Sequence, residues 1–276
     1  MTGQLSGQVA VVTGAGRGFG KAIALRFARE GAAVTFTSRT RAELDRSVAE
    51  AEAAGGRALA VPGDVTDPRD VERVVAGTEQ RFGPVTLLVS NAGVPGPFGP
   101  MWLVDPDAWW AAQQVHIRAP FLYIHRILPG MAQRRSGRVI IVSALASRLV
   151  APYLSAYCTG KIAQTRITAE VAAEAKDLGV SIFAIDPGFV YTGIAEETMN
   201  SPDAQRWLPG MVARIRERKD SPDRDADLAR CTQRCLDLAC GRYDVLSGRY
   251  MELDDDIEAM RREALAAAAA SASKAG

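Results

Sequence analysis

The segment TGAGRGFG, Thr13 to Gly20, decides the fold. It follows the apolar run VAVV at 9–12 and opens a helical stretch that starts near Lys21. A strand, a glycine-rich turn and a helix therefore succeed one another at the start of the chain. Glycines let a backbone approach a pyrophosphate, and the helix N-terminus behind them offers unpaired N–H groups with partial positive charge. The spacing is not G-x-G-x-x-G. It is T-G-x-x-x-G-x-G, with Gly14, Gly18 and Gly20 in the glycine slots and Arg17 and Phe19 between them.

Outward from this turn, short β-branched runs alternate with amphipathic stretches, the pattern of βαβ units in a parallel sheet. Strands are predicted at 9–12, 34–37, 57–61, 86–90, 139–143 and 181–185 and near 249–253. Helices are predicted at 21–30, 41–54, 69–81, 107–134, 153–178 and 223–239. The fold expected is α/β: one Rossmann-type, doubly wound parallel sheet of about seven strands with helices on both faces. Gly31, Gly55, Gly83 and Gly179 each stand where a left-handed helix stop belongs. Pro68 and Pro106 follow aspartates, as first-turn prolines behind an N-cap do. Residues 1–254 are expected to form the dinucleotide-binding domain. Within it, 191–221 reads as an insertion over the carboxyl edge of the sheet, where ligands bind in such folds. Residues 255–276 form a C-terminal extension whose low-complexity end, ALAAAAASASKAG, is expected to be partly disordered.

At 276 residues the chain suits one such domain, and 47% hydrophobic with 24% charged residues is ordinary globular composition. A net charge of +1 points to neither nucleic acid nor an anionic membrane surface as partner. No stretch approaches the ~20 apolar residues of a membrane span, and a cytoplasmic location is expected. Four cysteines are too few for a disulfide framework. Cys231, Cys235 and Cys240 lack metal-ligand spacing, and His116 and His125 lie far off in sequence, so no metal is expected.

The choice of dinucleotide is read about 20 residues past the glycine loop, where an NAD site carries a carboxylate for the ribose hydroxyls. Here Ser38-Arg39 stand at that place, with Arg17 in the loop itself. Two guanidiniums and a hydroxyl suit a 2′-phosphate, so NADP(H) is the cofactor expected. The alternative is that Arg39 is a solvated surface residue.

Further motifs follow in order: Asp64 and Val65 in GDV, Asn91, Ala92 and Gly93 in NAG, YCTGK at 157–161 and PGFVYT at 187–192. With the glycine loop, these resemble the short-chain dehydrogenase/reductases over about 4–253. The resemblance implies that GDV touches the adenine and that NAG closes the fourth strand under the cofactor. It implies too that Pro187, Gly188, Val190 and Thr192 hold the nicotinamide amide, with Tyr157 and Lys161 forming the Y-x-x-x-K pair. On physical grounds alone, residues four apart share a helix face. An ammonium ~4–5 Å from a phenol, at an effective dielectric near 20, favours phenolate by roughly 3–4 kcal/mol before desolvation. That would bring a tyrosine from about 10 toward 7 or 8. In this reading Tyr157 is the acid/base, and Lys161 tunes it and binds the nicotinamide ribose.

Two departures stand out. The family serine belongs thirteen positions before the tyrosine, and Ala144 is there. Ser143 is adjacent, but strand alternation should point it away from Ala144's face. The family asparagine belongs where His116 stands, in VHIRAPF. A histidine there either substitutes as an orienting group or only fills space. Losing an oxyanion donor typically costs ~10²–10³ in rate, about 3–4 kcal/mol. Ala144 is therefore an introduced replacement, a sign of a substrate needing no such donor, or a mark of redox-neutral chemistry on this scaffold.

The stretches 94–102, 145–153 and 189–207 are expected to wall the substrate pocket, with Phe98, Met101, Trp102, Leu149, Tyr153, Phe189, Tyr191 and Trp207. Such a lining suits an apolar or aromatic, ring-bearing small molecule. The function expected is NADP(H)-dependent interconversion of a ketone or aldehyde and an alcohol. The alternative is a cyclase, isomerase or dehydratase with the dinucleotide as a bound element. A bare dinucleotide sensor would not need Tyr157 and Lys161. The resemblance further implies a homodimer or homotetramer packed through the fourth and fifth helices, where Trp109, Trp110, Phe121 and Tyr123 fall.

Overall fold

The computed structural model describes residues 3–275 and contains one parallel sheet. Its strands are β1 (Val9–Thr13), β2 (Ala33–Thr37), β3 (Arg57–Ala60), β4 (Leu87–Ser90), β5 (Gly137–Val142), β6 (Val180–Ile185) and β7 (Tyr250–Met251). Their spatial order is β3-β2-β1-β4-β5-β6-β7. The chain winds outward from β1 in both directions, so the order reverses between β1 and β4, the place where such sheets open a crevice at their carboxyl ends. β1, β2, β4 and β6 are buried at every residue, as strands covered on both faces must be.

The helices are α1 (Gly18–Arg29), α2 (Arg41–Ala53), α3 (Pro68–Phe82), α4 (Pro106–Gln113), α5 (Ala119–Arg134), α6 (Ser155–Glu174), α7 (Gly193–Asn200), α8 (Pro202–Trp207), α9 (Pro209–Asp220), α10 (Ala226–Ala239) and α11 (Ile257–Ala275). Alternate strand residues enter two separate cores. Ala10, Val12, Phe36, Ile140 and Phe183 pack with Ile23 and Phe27 of α1 and Cys231 and Leu236 of α10. Val11, Leu88, Val139, Ile141 and Ile182 pack with Val74 of α3, Tyr123 of α5 and Ala172 of α6. Each fully buried large apolar side chain contributes about 1.5–3 kcal/mol relative to exposure. Asp67 and Asp105 accept from the N–H groups of Arg69 and Asp107 ahead of first-turn prolines. The four glycine stops all have positive φ, between 69° and 93°.

Three differences from the sequence reading concern local structure. The segment 191–221 is three short helices, α7 to α9. The C-terminal segment expected to fray is α11, which buries Ile257 and Ala264 in the first core. The stretch predicted as one helix at 107–134 breaks into α4 and α5 around a π turn at Gln114–Arg118. Pro120 has no N–H to give the His116 carbonyl four residues earlier, so a regular helix is interrupted there. Ala119 N–H instead reaches back five residues to Gln114 O.

That turn presses His116 against α6. A Cβ added at Gly160 would lie 2.6 Å from His116 Cβ and 2.8 Å from its Cγ, far inside contact distance. Gly160→Ala should therefore destabilise the fold by about 1–3 kcal/mol through overpacking. Urea unfolding checks this: the loss should shrink when His116→Ala is added, and an unchanged midpoint in the single variant would count against the packing described.

Candidate active site

The glycine loop leaves β1 through Gly14, whose φ is +65°. A Cβ on Gly20 would fall 2.4 Å from both Asn91 Nδ2 and Gly14 O, so the loop closes only around glycine. Asn91, just past β4, donates its side-chain N–H to Thr13 O at 2.9 Å, and Thr13 Oγ1 accepts from Asn91 N–H at 2.9 Å and Ala92 N–H at 3.1 Å. The two diverging strands are tied together at their carboxyl ends.

Above this tie lies a cavity of about 560 Å³. Gly14, Arg17, Gly18, Phe19, Ser38, Arg39, Asp64, Val65, Asn91, Ala92, Gly93 and Thr192 all line it. Gly20 lies beneath it. Ser38 Oγ is buried without a protein partner, and among the described residues Arg39 is exposed and forms no ion pair. Arg17 pairs with Glu197 at 3.2 Å, both half-exposed, a contact too weakly held to resist a better anion. A hydroxyl without a partner, two cations and a glycine cradle fit a phosphorylated dinucleotide. The sequence reading missed Glu43: this first-turn residue of α2 brings a carboxylate to the same wall, against Gly16.

A second cavity, about 460 Å³, adjoins the first and shares Phe19, Asn91, Thr192 and Ile194 with it. Tyr157, Lys161, Ser143, Ala144, Pro187, Gly188 and Val190 line it. β5 delivers Ala144 to the cavity, while Ser143 Oγ donates to the Lys161 carbonyl of α6 at 3.0 Å. Among the predicted wall residues, Phe98, Leu149 and Phe189 are present. Met101, Trp102 and Tyr153 instead line a neighbouring groove of about 520 Å³ that shares Ala146, Leu149 and Ala151 with this cavity. Trp207 packs at a tilt against Tyr153 with ring centroids 5.2 Å apart, and Tyr191 lies under Lys219. The wall also includes Leu154, Met211, Arg214 and Ile215, which no local motif marks.

His116 is fully buried and lies behind Tyr157 rather than on the cavity wall. Its Nε2 meets the Val94 carbonyl at 2.8 Å and so carries the proton, and its ring stands edge-on to Tyr157 at 5.5 Å. Lys161 is 3% exposed; its Nζ donates to Val142 O at 2.9 Å and Gln164 Oε1 at 3.2 Å.

The electrostatics correct one sequence expectation. Burial pushes the Lys161 amine down to about 7, against which the Asp186 carboxylate works. The same desolvation, with Asp186 adding, raises the Tyr157 phenol above its ordinary range rather than lowering it toward 7 or 8. Loss of water around the buried phenol outweighs the attraction expected from an ammonium four residues along the helix. Asp186, at the end of β6, is held by Leu145 N–H and raised by burial. The sequence reading passed over it, although an acidic residue before a Pro-Gly at a strand's carboxyl end was a visible signal.

Burial, with the Lys161 charge adding, holds His116 at about 3. Between the ordinary value of 6.5 and about 3, the unfolded chain takes up a proton that the folded chain refuses. Stability contributed by this group is complete above 6.5 and falls as pH drops through that window, by an amount on the order of 5 kcal/mol. His116→Asn should flatten this acid limb in urea unfolding run across pH. An unaltered slope would show that His116 does not cause it.

Comparison with known proteins agrees with this geometry. The family model described as short chain dehydrogenase matches residues 8–203. A short chain dehydrogenase of Pseudocercospora fijiensis is 34% identical over 269 residues, covering 95% of this chain and 85% of the relative. Levodione reductase shares the fold at a TM-score of 0.81 and 23% identity, over 91% of this chain and 97% of its own. A metagenomic short-chain oxidoreductase solved in complex with NADP is 34% identical, with a TM-score of 0.64 over 68% of this chain and 85% of its own. With its glycine loop, its Tyr157–Lys161 pair and a family match over most of its length, the chain belongs to the short-chain dehydrogenase/reductase family of oxidoreductases.

Proposed function

We propose that this protein is an NADP(H)-dependent oxidoreductase that interconverts a ketone or aldehyde and an alcohol on a largely apolar, ring-bearing substrate. The end of β2 carries the cofactor assignment: Ser38 Oγ is buried without a partner beside an unpaired Arg39, which suits the hydroxyl and charge needs of a 2′-phosphate. Gly14, Gly18 and the N-terminus of α1 would take the pyrophosphate. Asp64 and Val65 would lie along the adenine, Asn91 to Gly93 under the nicotinamide, and Pro187, Gly188, Val190 and Thr192 at its amide. The cofactor in its reduced form supplies a hydride.

Tyr157, kept neutral by its surroundings, then gives its phenolic proton to the carbonyl oxygen. Lys161 holds that end of α6 beside β5 and supports the phenolate left behind. His116 acts from behind, its ring edge on Tyr157 fixing the phenol plane. Ala144 offers the substrate oxygen no hydrogen bond. Phe98, Leu149, Phe189, Met211 and Ile215 favour an apolar substrate body. Ala144 together with His116 favours a second reading, redox-neutral catalysis with the dinucleotide retained. A homodimer or homotetramer would bury the face of α4 and α5 bearing Trp110, 59% exposed, and Phe121, 55% exposed. Trp109 contributes less, being tied to Ser155, and Tyr123 lies in the core.

NADPH oxidation with cyclic and aromatic ketones tests the reading. Ala144→Ser should raise kcat about 10²-fold or more by restoring an oxyanion donor, and Tyr157→Phe should abolish turnover. Arg39→Asp should reduce NADPH use by about 10–100-fold relative to NADH, as loss of a charge-assisted contact of about 1.5–3 kcal/mol would. If wild type and Ala144→Ser both bind NADPH and neither consumes it, the redox-neutral reading takes over. Sedimentation should show a dimer or larger, and Trp110→Glu with Phe121→Glu should shift it toward monomer; a wild-type monomer at micromolar concentration would refute the assembly.

A further inference from the structure

One buried amide on α6 stands beside the proposed machinery without a part in it. Gln164, three residues past Lys161, is 1% exposed. Its Nε2 donates to the His116 carbonyl at 3.0 Å, and its Oε1 accepts from Lys161 Nζ at 3.2 Å. A carbonyl only accepts, so Nε2 must face His116 and Oε1 must face Lys161. The amide cannot flip without losing both bonds.

The demand for that donor comes from the break between α4 and α5. Pro120 leaves the His116 carbonyl without its helical N–H, and a buried carbonyl left unpaired costs about 1–3 kcal/mol. Gln164 meets the need and in doing so turns its own oxygen toward the lysine. The only other hydrogen-bond partner of Nζ among the described residues is the Val142 carbonyl at the end of β5. Lys161 forms no ion pair there; the titratable groups around it are Tyr157 on its own helix, His116 from the π turn and Asp186 from the end of β6.

We infer that Gln164 is a positioning residue: it fixes the Lys161 amine at the end of β5 and favours its protonated form, using an orientation imposed by the proline-broken helix. Acceptors aimed at an amine stabilise the cation more than the neutral form. Removing one of two acceptors should therefore ease deprotonation, and the consequence for turnover rests on the proposed roles of Tyr157 and Lys161. The effect on Lys161 itself does not depend on those roles.

The direct measurement is titration of the Lys161 side chain by carbon-13 NMR at Cε. The chain has five lysines, so the resonance is assignable from its loss in Lys161→Arg. Wild type should titrate near 7. Gln164→Met, similar in volume but without polar ends, should lower the midpoint by about one pH unit or more, tenfold in the equilibrium. Gln164→Glu, which keeps an acceptor toward Nζ, should hold the midpoint at or above the wild-type value. If Gln164→Met does not fold by circular dichroism, Gln164→Asn, one methylene too short to span both partners, should show the same fall. The pH profile of kcat on the best ketone of the panel should move with the midpoint. A Lys161 midpoint unchanged to within a few tenths in the folded Met or Asn variant overturns the inference and leaves Gln164 as core filling. Full activity in Tyr157→Phe would instead sink the oxidoreductase mechanism while leaving the NMR result intact.

Discussion

Thr13 and Asn91 hold together the point from which everything functional is arranged. The parallel sheet winds outward on both sides of β1, so β1 and β4 are neighbours whose chains leave in opposite directions. The sheet ladder pairs them as far as Val12 and Val89, and beyond that point the chains separate toward the glycine loop and the Asn91 segment. The paired bonds between the Thr13 hydroxyl and carbonyl and the Asn91 backbone and side chain tie them there. Both cavities open over that junction and share Asn91 and Phe19 in their walls. The cavity over the glycine loop thus leads into the one that carries Tyr157.

A second constraint is the cost of placing an amine and a phenol in a nearly dry corner. Desolvation weakens the lysine as a cation and keeps the tyrosine protonated. The phenol therefore holds its proton until a partner in the site draws it off. The corner is built from three elements with different reasons to be there: the end of β5, one face of α6, and the π turn forced by Pro120. Ser143 and Gln164 stitch them together through backbone carbonyls rather than through ion pairs, and His116 ties the turn to the Val94 carbonyl beyond β4. Backbone acceptors move little, so the geometry survives changes of charge that would rearrange a salt bridge.

Much of this was legible in the chain. Alternating apolar runs, glycine stops and aspartate–proline caps are local devices whose physics acts over a few residues, and they marked the strands and most helices. The glycine loop and the Tyr157–Lys161 spacing were legible for the same reason. Four features were not. Pro120 was visible, yet its effect on His116 depends on what α6 presents across the gap. Gln164 carries no motif. Asp186 and Glu43 have meaning only because β6 and α2 end beside cavities formed by other strands. Tyr157 shifts opposite to the direction its spacing from Lys161 implies because burial, a property of the whole fold, dominates.

The amino-acid sequence by itself therefore determined the alternation of elements, the glycine loop and the pair of residues four apart on one helix face. These are short-range matters of spacing and conformational freedom. Tertiary structure alone decided which polar groups lose their water, which carbonyls lack a donor, and which side chains from distant elements meet. The physical reason is that desolvation and hydrogen-bond satisfaction depend on everything packed around a group, which no local window of sequence contains.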